Sequence, residues 1–186
     1  ETISVRRGLI KAYSKQLDTE VLLEEDAVRL FLQGREIRPF HIIPSRKVVL
    51  TPYFISKGRA SPLPEKVIKS EWPEAYSYLR KSKSYLCARE DGKFVGSDWY
   101  EFGRNQNIDL MLLPKILVPD IADRASFALD EHGRYAFTSG YGLTLYDESR
   151  HPLKFMLALC NSRILDFYWK QVSTPLRGGF FRYFTQ

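Results

Sequence analysis

Apolar positions along this 186-residue chain recur at two periods, one helical and one strand-like. Within residues 72–88, Ala75, Leu79 and Leu86 recur at helical spacing with Tyr76 alongside, while Arg80, Lys81 and Lys83 fill the outer side. Pro73 suits the first helical position, and Glu74 lies in the positive first turn. A second helical stripe runs through residues 152–170. Leu153, Met156, Leu157 and Cys160 begin it, and Ile164, Leu165, Tyr168 and Trp169 continue it. Asn161 and Ser162 favour caps and can divide this region into two helices. The apolar cluster of residues 19–33 predicts a shorter helix, with Gly34 at its C-terminal end. Residues 47–54 (KVVLTPYF), 114–119 (PKILVP) and 141–146 (YGLTLY) read as strands, Pro52 marking an edge or an end of the first. Residues 56–64 read as a loop or crossover. Residues 126–138 read as a hairpin turning at Glu131-His132-Gly133, and 176–184 as a Gly-Gly turn followed by an aromatic strand. The expected fold is α+β: a twisted, largely antiparallel mixed sheet with helices packed outside. One domain spanning 1–186 is expected, excised from a longer chain, since both ends fall within a pattern.

Composition narrows the class. Hydrophobic residues make up 44% and charged residues 27%, which excludes wholesale disorder. Lys and Arg number 28 against 22 Asp and Glu, a net charge of +6 that suits an anionic partner. The excess is uneven: residues 1–60 carry +4, residues 61–150 carry −2 and residues 151–186 carry +4. No apolar run reaches the roughly 18 residues of a membrane span, and the N-terminus lacks the apolar core of a signal peptide. Cys87 and Cys160 form no CxxC pair and fall in helix-like segments, so free buried thiols in a reducing cytoplasm are expected.

A search for chemistry finds no phosphate loop, no GxGxxG, no HExxH and no polar-Pro-Pro-aromatic methyltransferase tetrad. No catalytic residue, metal site or resident cofactor is expected in this chain. His41, His132 and His151 lack metal-ligand spacing and suit surface or capping roles. Asp120, Asp130 and Glu131 have a nuclease-like spacing, but no lysine follows in the required place, and Asp130-Glu131 falls in an apparent turn. Residues 177–184 (RGGFFRYF) resemble an RNA-binding sheet motif that fails at Gly179, Phe180 and Arg182; core packing explains the aromatics as well. What remains suits DNA. Arg6, Arg7 and Lys11 cluster near the N-terminus, Arg35 and Arg38 flank Ile37, and Lys57 and Arg59 sit in a polar stretch. Arg104, Asn105, Gln106 and Asn107 combine guanine- and adenine-matching groups, although a solvated polar loop would look the same. Arg177 stands beside two glycines that permit close approach to a phosphate, and Arg182 follows.

A collinear series of segments then carries a resemblance: GREIRPF (34–40), VVLTPY (48–53), WPEAYSYL (72–79), WYEFGR (99–104), PKILVP (114–119), FALDEHGRY (127–135), LALCNSRILDFYWK (157–170) and RGGFFRYF (177–184). In this order the chain resembles the TaqI-like C-terminal specificity domains from about Gly34 to the C-terminus, together with the preceding stretch from Arg6. The resemblance implies a target-recognition module of an adenine-specific DNA methyltransferase or a fused restriction–modification enzyme. Such a module binds double-stranded DNA and positions the site. A separate N-terminal methyltransferase domain of the same parent chain binds S-adenosylmethionine and methylates a flipped adenine. WYEFGR and RGGFF are the landmarks carried over. The other classes left open are a protein–protein docking module of a phage-defence complex and an RNA-binding domain.

Overall fold

The computed structural model describes residues 3–6, 8–56, 58–97, 99–104, 107–145 and 152–183, with the side chains of 3–6 outside the description. In chain order the strands are β1 (Ile3–Arg6), β2 (Leu9–Ser14), β3 (Thr19–Glu24), β4 (Val28–Leu32), β5 (Ile37–Arg38), β6 (His41–Ile42), β7 (Val48–Leu50), β8 (Tyr53–Ser56) and β9 (Arg59–Pro62). Helices α1 (Glu65–Glu71), α2 (Pro73–Lys81) and α3 (Lys83–Cys87) follow. Then come β10 (Lys115–Pro119), β11 (Ile121–Ala122), β12 (Ala128–Asp130), β13 (Tyr135–Phe137) and β14 (Gly140–Leu143). Helices α4 (Leu153–Cys160) and α5 (Arg163–Val172), with β15 (Thr174–Pro175) and β16 (Phe181–Arg182), complete the series. The fold is α+β with mostly antiparallel strands, distributed over several small sheets. Two compact units form: Glu1–Leu30 with Arg46–Asp109, and Phe31–Ser45 with Leu110–Gln186.

In the first unit, β1, β2 and β3 make an antiparallel meander whose β2–β3 register runs from Leu9 opposite Glu24 to Ser14 opposite Thr19. The helix expected over residues 19–33 is therefore replaced by β3, a 3-10 turn at Glu25–Ala27, and β4. The reason is tertiary pairing. The apolar cluster hides a strand alternation in which Leu23 is buried and Leu22 exposed, and β2 supplies the complementary edge. Ile10, Ala12, Leu23, Ala27 and Val28 pack against Ala75 of α2, with Trp72 and Tyr78 beside them. Glu24 fixes that contact: its two carboxylate oxygens accept the N–H groups of Glu74 and Ala75, each at 2.9 Å. These are orphan donors at the first turn of α2, which Pro73 opens. The single helix expected over 72–88 is broken at Ser82 into α2 and α3, and α1 precedes it with only Ile68 buried.

In the second unit, β10 is buried at all five residues and lies between β12 and β14. The expected 126–138 hairpin is not formed: β12 pairs with β10, while β13 belongs to a different sheet. The turn at 131–134 redirects the chain because Asp130 holds its backbone from the inside. Gly133 is required there, with φ +61 and a position where a Cβ would sit 2.1 Å from the Leu112 carbonyl oxygen. Helices α4 and α5 divide at Asn161-Ser162 as the cap residues suggest. Ser162 Oγ accepts the N–H of Leu165. Asn161 acts as a side-chain rung: its Oδ1 accepts the Phe127 N–H at 3.0 Å, and its Nδ2 donates to the Phe127 carbonyl at 2.9 Å. Ile116, Val118, Phe127, Leu153, Leu157, Cys160 and Tyr183 form the core beneath, and the Phe127 and Tyr183 rings stack at 6.4 Å. Cys160 is buried, which pushes its thiol pKa up; Cys87 is half-buried, and both are free.

Asp166 on α5 carries one pH prediction. Burial pushes its carboxyl pKa up, but Lys170 Nζ at 2.8 Å, the Ala125 N–H at 2.6 Å and the charge of Arg124 outweigh this and hold it below the ordinary 3.8. A lowered folded-state pKa stabilises above the unfolded value and loses that contribution as pH falls through the folded value. The stability gap between wild type and Asp166→Asn is therefore expected to be constant at neutral pH and to shrink below pH 3.8. Urea titrations across pH 2–7 that show a gap unchanged down to the lowest pH would contradict this.

Candidate nucleic-acid interface

Residues 56–64, expected to be a loop or crossover, instead supply the end of β8 and all of β9 in a two-stranded ribbon. β8 and β9 pair from Tyr53 opposite Pro62 to Ser56 opposite Arg59. Gly58, just before β9, has φ +72, a left-handed conformation suited to a hairpin turn. Pro62 and Pro64 obscure this pattern in the sequence; the signal was the Lys-Gly dipeptide between YFIS and RASP. Arg59 is exposed at the tip, with Phe54 and Ile55 exposed along β8.

The WYEFGR segment braces the base of this ribbon. The Phe102 N–H donates to Tyr53 Oη at 2.7 Å, and the Tyr53 and Phe102 rings lie 5.1 Å apart. Tyr100 Oη donates to the Leu63 carbonyl at 2.6 Å. Trp99 is fully buried with Ile68 and Leu79, as core rather than as a stacking platform. Its Nε1 donates to Glu65 Oε2 at 3.4 Å, and Lys83 Nζ sits 4.7 Å from its ring centroid. Two hydrogen bonds and a ring contact thus place Arg104, exposed just beyond Phe102, on the same support as the ribbon. Asn107, also exposed, has φ 62. Asn105 and Gln106 lie outside the described residues, as do Arg7 and Lys57, and the side chain of Arg6 on β1.

The other candidate cations differ in how far they are engaged. Lys11 pairs with Glu20 at 2.5 Å. In the second unit, Arg35 pairs with Glu36 at 3.0 Å and Arg182 with Asp120 at 3.6 Å. Arg38 is exposed on β5, whose hairpin with β6 turns through Pro39 and Phe40. Phe40, which the sequence did not single out, is solvent-exposed at φ 67, with its N–H held by the Phe127 carbonyl at 2.8 Å. Arg177 opens a 3-10 turn in which Gly178 and Gly179 have φ +79 and +78, and no atom lies within 4 Å of a Cβ built on Gly179. Among the described residues no ion pair engages Arg38, Arg59, Arg104 or Arg177.

The nuclease-like carboxylates are separately employed. Asp130 pairs with Lys115, which is itself buried. Glu131 pairs with Lys154 at 2.8 Å, and Asp120 with Arg182. Among the described residues no group of three His, Cys, Asp or Glu side chains could hold a metal ion. No described helix is long and apolar enough to cross a membrane.

The profile of the family described as TaqI-like C-terminal specificity domain matches residues 29–186. Among curated proteins, the Type II methyltransferase M.BanIII of Aneurinibacillus aneurinilyticus is 24% identical over 182 residues, covering 95% of this chain and 30% of that protein. The Type II methyltransferase M.PaeR7I of Pseudomonas aeruginosa is 27% identical over 116 residues, covering 62% of this chain and 20% of that protein. The chain thus spans less than a third of the length of these relatives.

Proposed function

Because the chain belongs to the family of TaqI-like C-terminal specificity domains, we propose that its two units act together as the target-recognition domain of a DNA methyltransferase. It binds duplex DNA and selects the site, and a separate methyltransferase region of the same polypeptide carries out the chemistry. That region binds S-adenosylmethionine and methylates adenine, in the cytoplasm, where thiols such as Cys87 and Cys160 stay reduced.

The observation that carries this reading is the β8–β9 ribbon with its glycine-turned tip and exposed Arg59, braced at its base by the segment that presents Arg104. A two-stranded ribbon fits the major groove, where arginine pairs bidentately with guanine. The tip stands two residue pairs beyond the pair next to the Tyr53–Phe102 anchor, roughly 10 Å along the strand, which gives the reach that groove entry needs. Arg177 serves differently. Its Gly-Gly turn lets backbone approach a phosphate closely, so it contributes affinity and position rather than base choice.

Salt-dependent titration of the full-length enzyme with duplex DNA tests this. Arg177→Ala is expected to weaken all sequences about equally and to reduce the slope of log K against log salt by about one unit. Binding with no salt slope would favour a protein-docking module instead.

A further inference from the structure

The apolar arc of helix α5 extends beyond the part that packs on the core, while Arg163, Asp166 and Lys170 hold the remaining side. Its inner side sends Trp169 onto the core of the second unit, with Leu165 half-buried. Its outer side presents Ile164 at 79% exposure, Phe167 at 68%, Tyr168 at 52% and Val172 at 51%. These positions follow the i, i+3, i+4, i+8 spacing of one continuous stripe. On the neighbouring α4, Phe155 and Leu159 are also exposed, one turn apart. A contiguous exposed apolar patch rimmed by polar residues marks an interaction surface.

We propose that the outer stripe of α5, with Phe155 and Leu159 of α4, docks against an apolar surface of the methyltransferase region of the same polypeptide. This rests on the reading above. Three observations choose the occupant. First, DNA surfaces call for cations, and this stripe has little to offer: Lys170 is committed to Asp166 at 2.8 Å, which leaves Arg163 at the helix start. Second, the area is limited. At roughly 200 Å² for a large aromatic side chain, the exposed parts of the six residues amount to on the order of 600 Å² per side. That suits an interface between domains of one chain, where the tether supplies the effective concentration, and falls short of an obligate homodimer. Third, this chain covers only 30% and 20% of two methyltransferase relatives, so in them the matching segment sits in a much longer polypeptide. Tyr and Phe are the residues that such interface centres favour.

The test uses the full-length methyltransferase carrying Ile164→Asp with Phe167→Asp, and separately the milder Tyr168→Ser with Val172→Ser. Limited proteolysis between the two regions is expected to accelerate at least tenfold in the aspartate variant, with loss of hydrogen-exchange protection over α5. Methyl transfer is expected to fall at least tenfold, while duplex affinity stays within threefold. The serine variant is expected to move each readout in the same direction by less, with unchanged circular dichroism; if the aspartate variant fails to fold, the serine variant decides. Unchanged proteolysis and exchange in a folded variant overturn the proposal. So does weaker duplex binding with proteolysis unchanged, which would assign the stripe to DNA. A wild-type dimer that the variants convert to monomers, again with proteolysis unchanged, would assign it to a second copy and also overturn it. A wild-type protein that neither binds nor methylates DNA sinks the target-recognition reading, while the proteolysis comparison still reports on docking.

Discussion

Asp130→Ala is expected to cost about 3–5 kcal/mol of folding stability, the range for removing one partner of a buried ion pair. Asp130 and Lys115 are both almost fully buried, with Nζ and Oδ2 at 2.5 Å. The carboxylate does more than neutralise the lysine. Its Oδ1 accepts the Arg134 N–H at 2.9 Å and its Oδ2 the Tyr135 N–H at 3.1 Å, so it holds the 131–134 turn from within. Lys115 Nζ also donates to the Met111 carbonyl at 2.8 Å, tying the preceding loop to β10. Burial pulls the Lys115 pKa down, and the Asp130 carboxylate opposes that pull. With alanine at 130, a buried ammonium loses its counter-charge and two backbone donors lose their acceptor. An apolar replacement of both residues would still leave those N–H groups and the Met111 carbonyl unpaired, so it should not restore stability. Urea unfolding of the variants measures this, and a loss below 1 kcal/mol for Asp130→Ala would remove the pair from the scaffold's framework.

Truncating the ribbon tip and its neighbour together, Arg59→Ala with Arg104→Ala, is expected to reduce discrimination between the cognate site and other duplexes by roughly 2–6 kcal/mol, on the basis of one base-edge contact from each arginine. Both side chains are exposed and make no ion pair among the described residues, so their removal leaves no buried partner unsatisfied. Stability should stay within about 0.5 kcal/mol of wild type, which separates lost contacts from lost fold. Each single variant should relax choice at a different base pair. Gln106→Ala, two residues beyond Arg104, is expected to relax one pair by about 1–3 kcal/mol. Sequencing of methylated sites across a random library reads these changes. An unaltered site preference in the double variant would exclude the ribbon from readout and leave affinity to the phosphate contacts.

Some of this protein was legible from its residues alone because the relevant physics is local. Pro73 and the spacing of Ala75 and Leu79 specify the start and inner face of α2 whatever surrounds them. Ser162 caps α5 through its own backbone three residues on, so the break after α4 could be read in place. The apolar run Ile116–Val118 marked the buried centre of β10, although not the buried lysine that begins it. The order of the family's segments, read along the chain, was enough to identify the domain. Other features depend on partners far away in sequence. Residues 19–33 become strands because β2 offers an edge, and their apolar cluster does not by itself distinguish one period from the other. Asp130 looked like an ordinary turn residue until Lys115 was placed beside it, 15 positions earlier. Most of the ribbon, from Ser56 on, reads as a proline-rich loop until its strands pair and Tyr53 meets Phe102, 49 residues on. Short-range capping and periodicity act within a few residues and can be read from a string; strand pairing, buried charge and the support of a protruding hairpin are set by contacts across the chain, which only the tertiary structure decides.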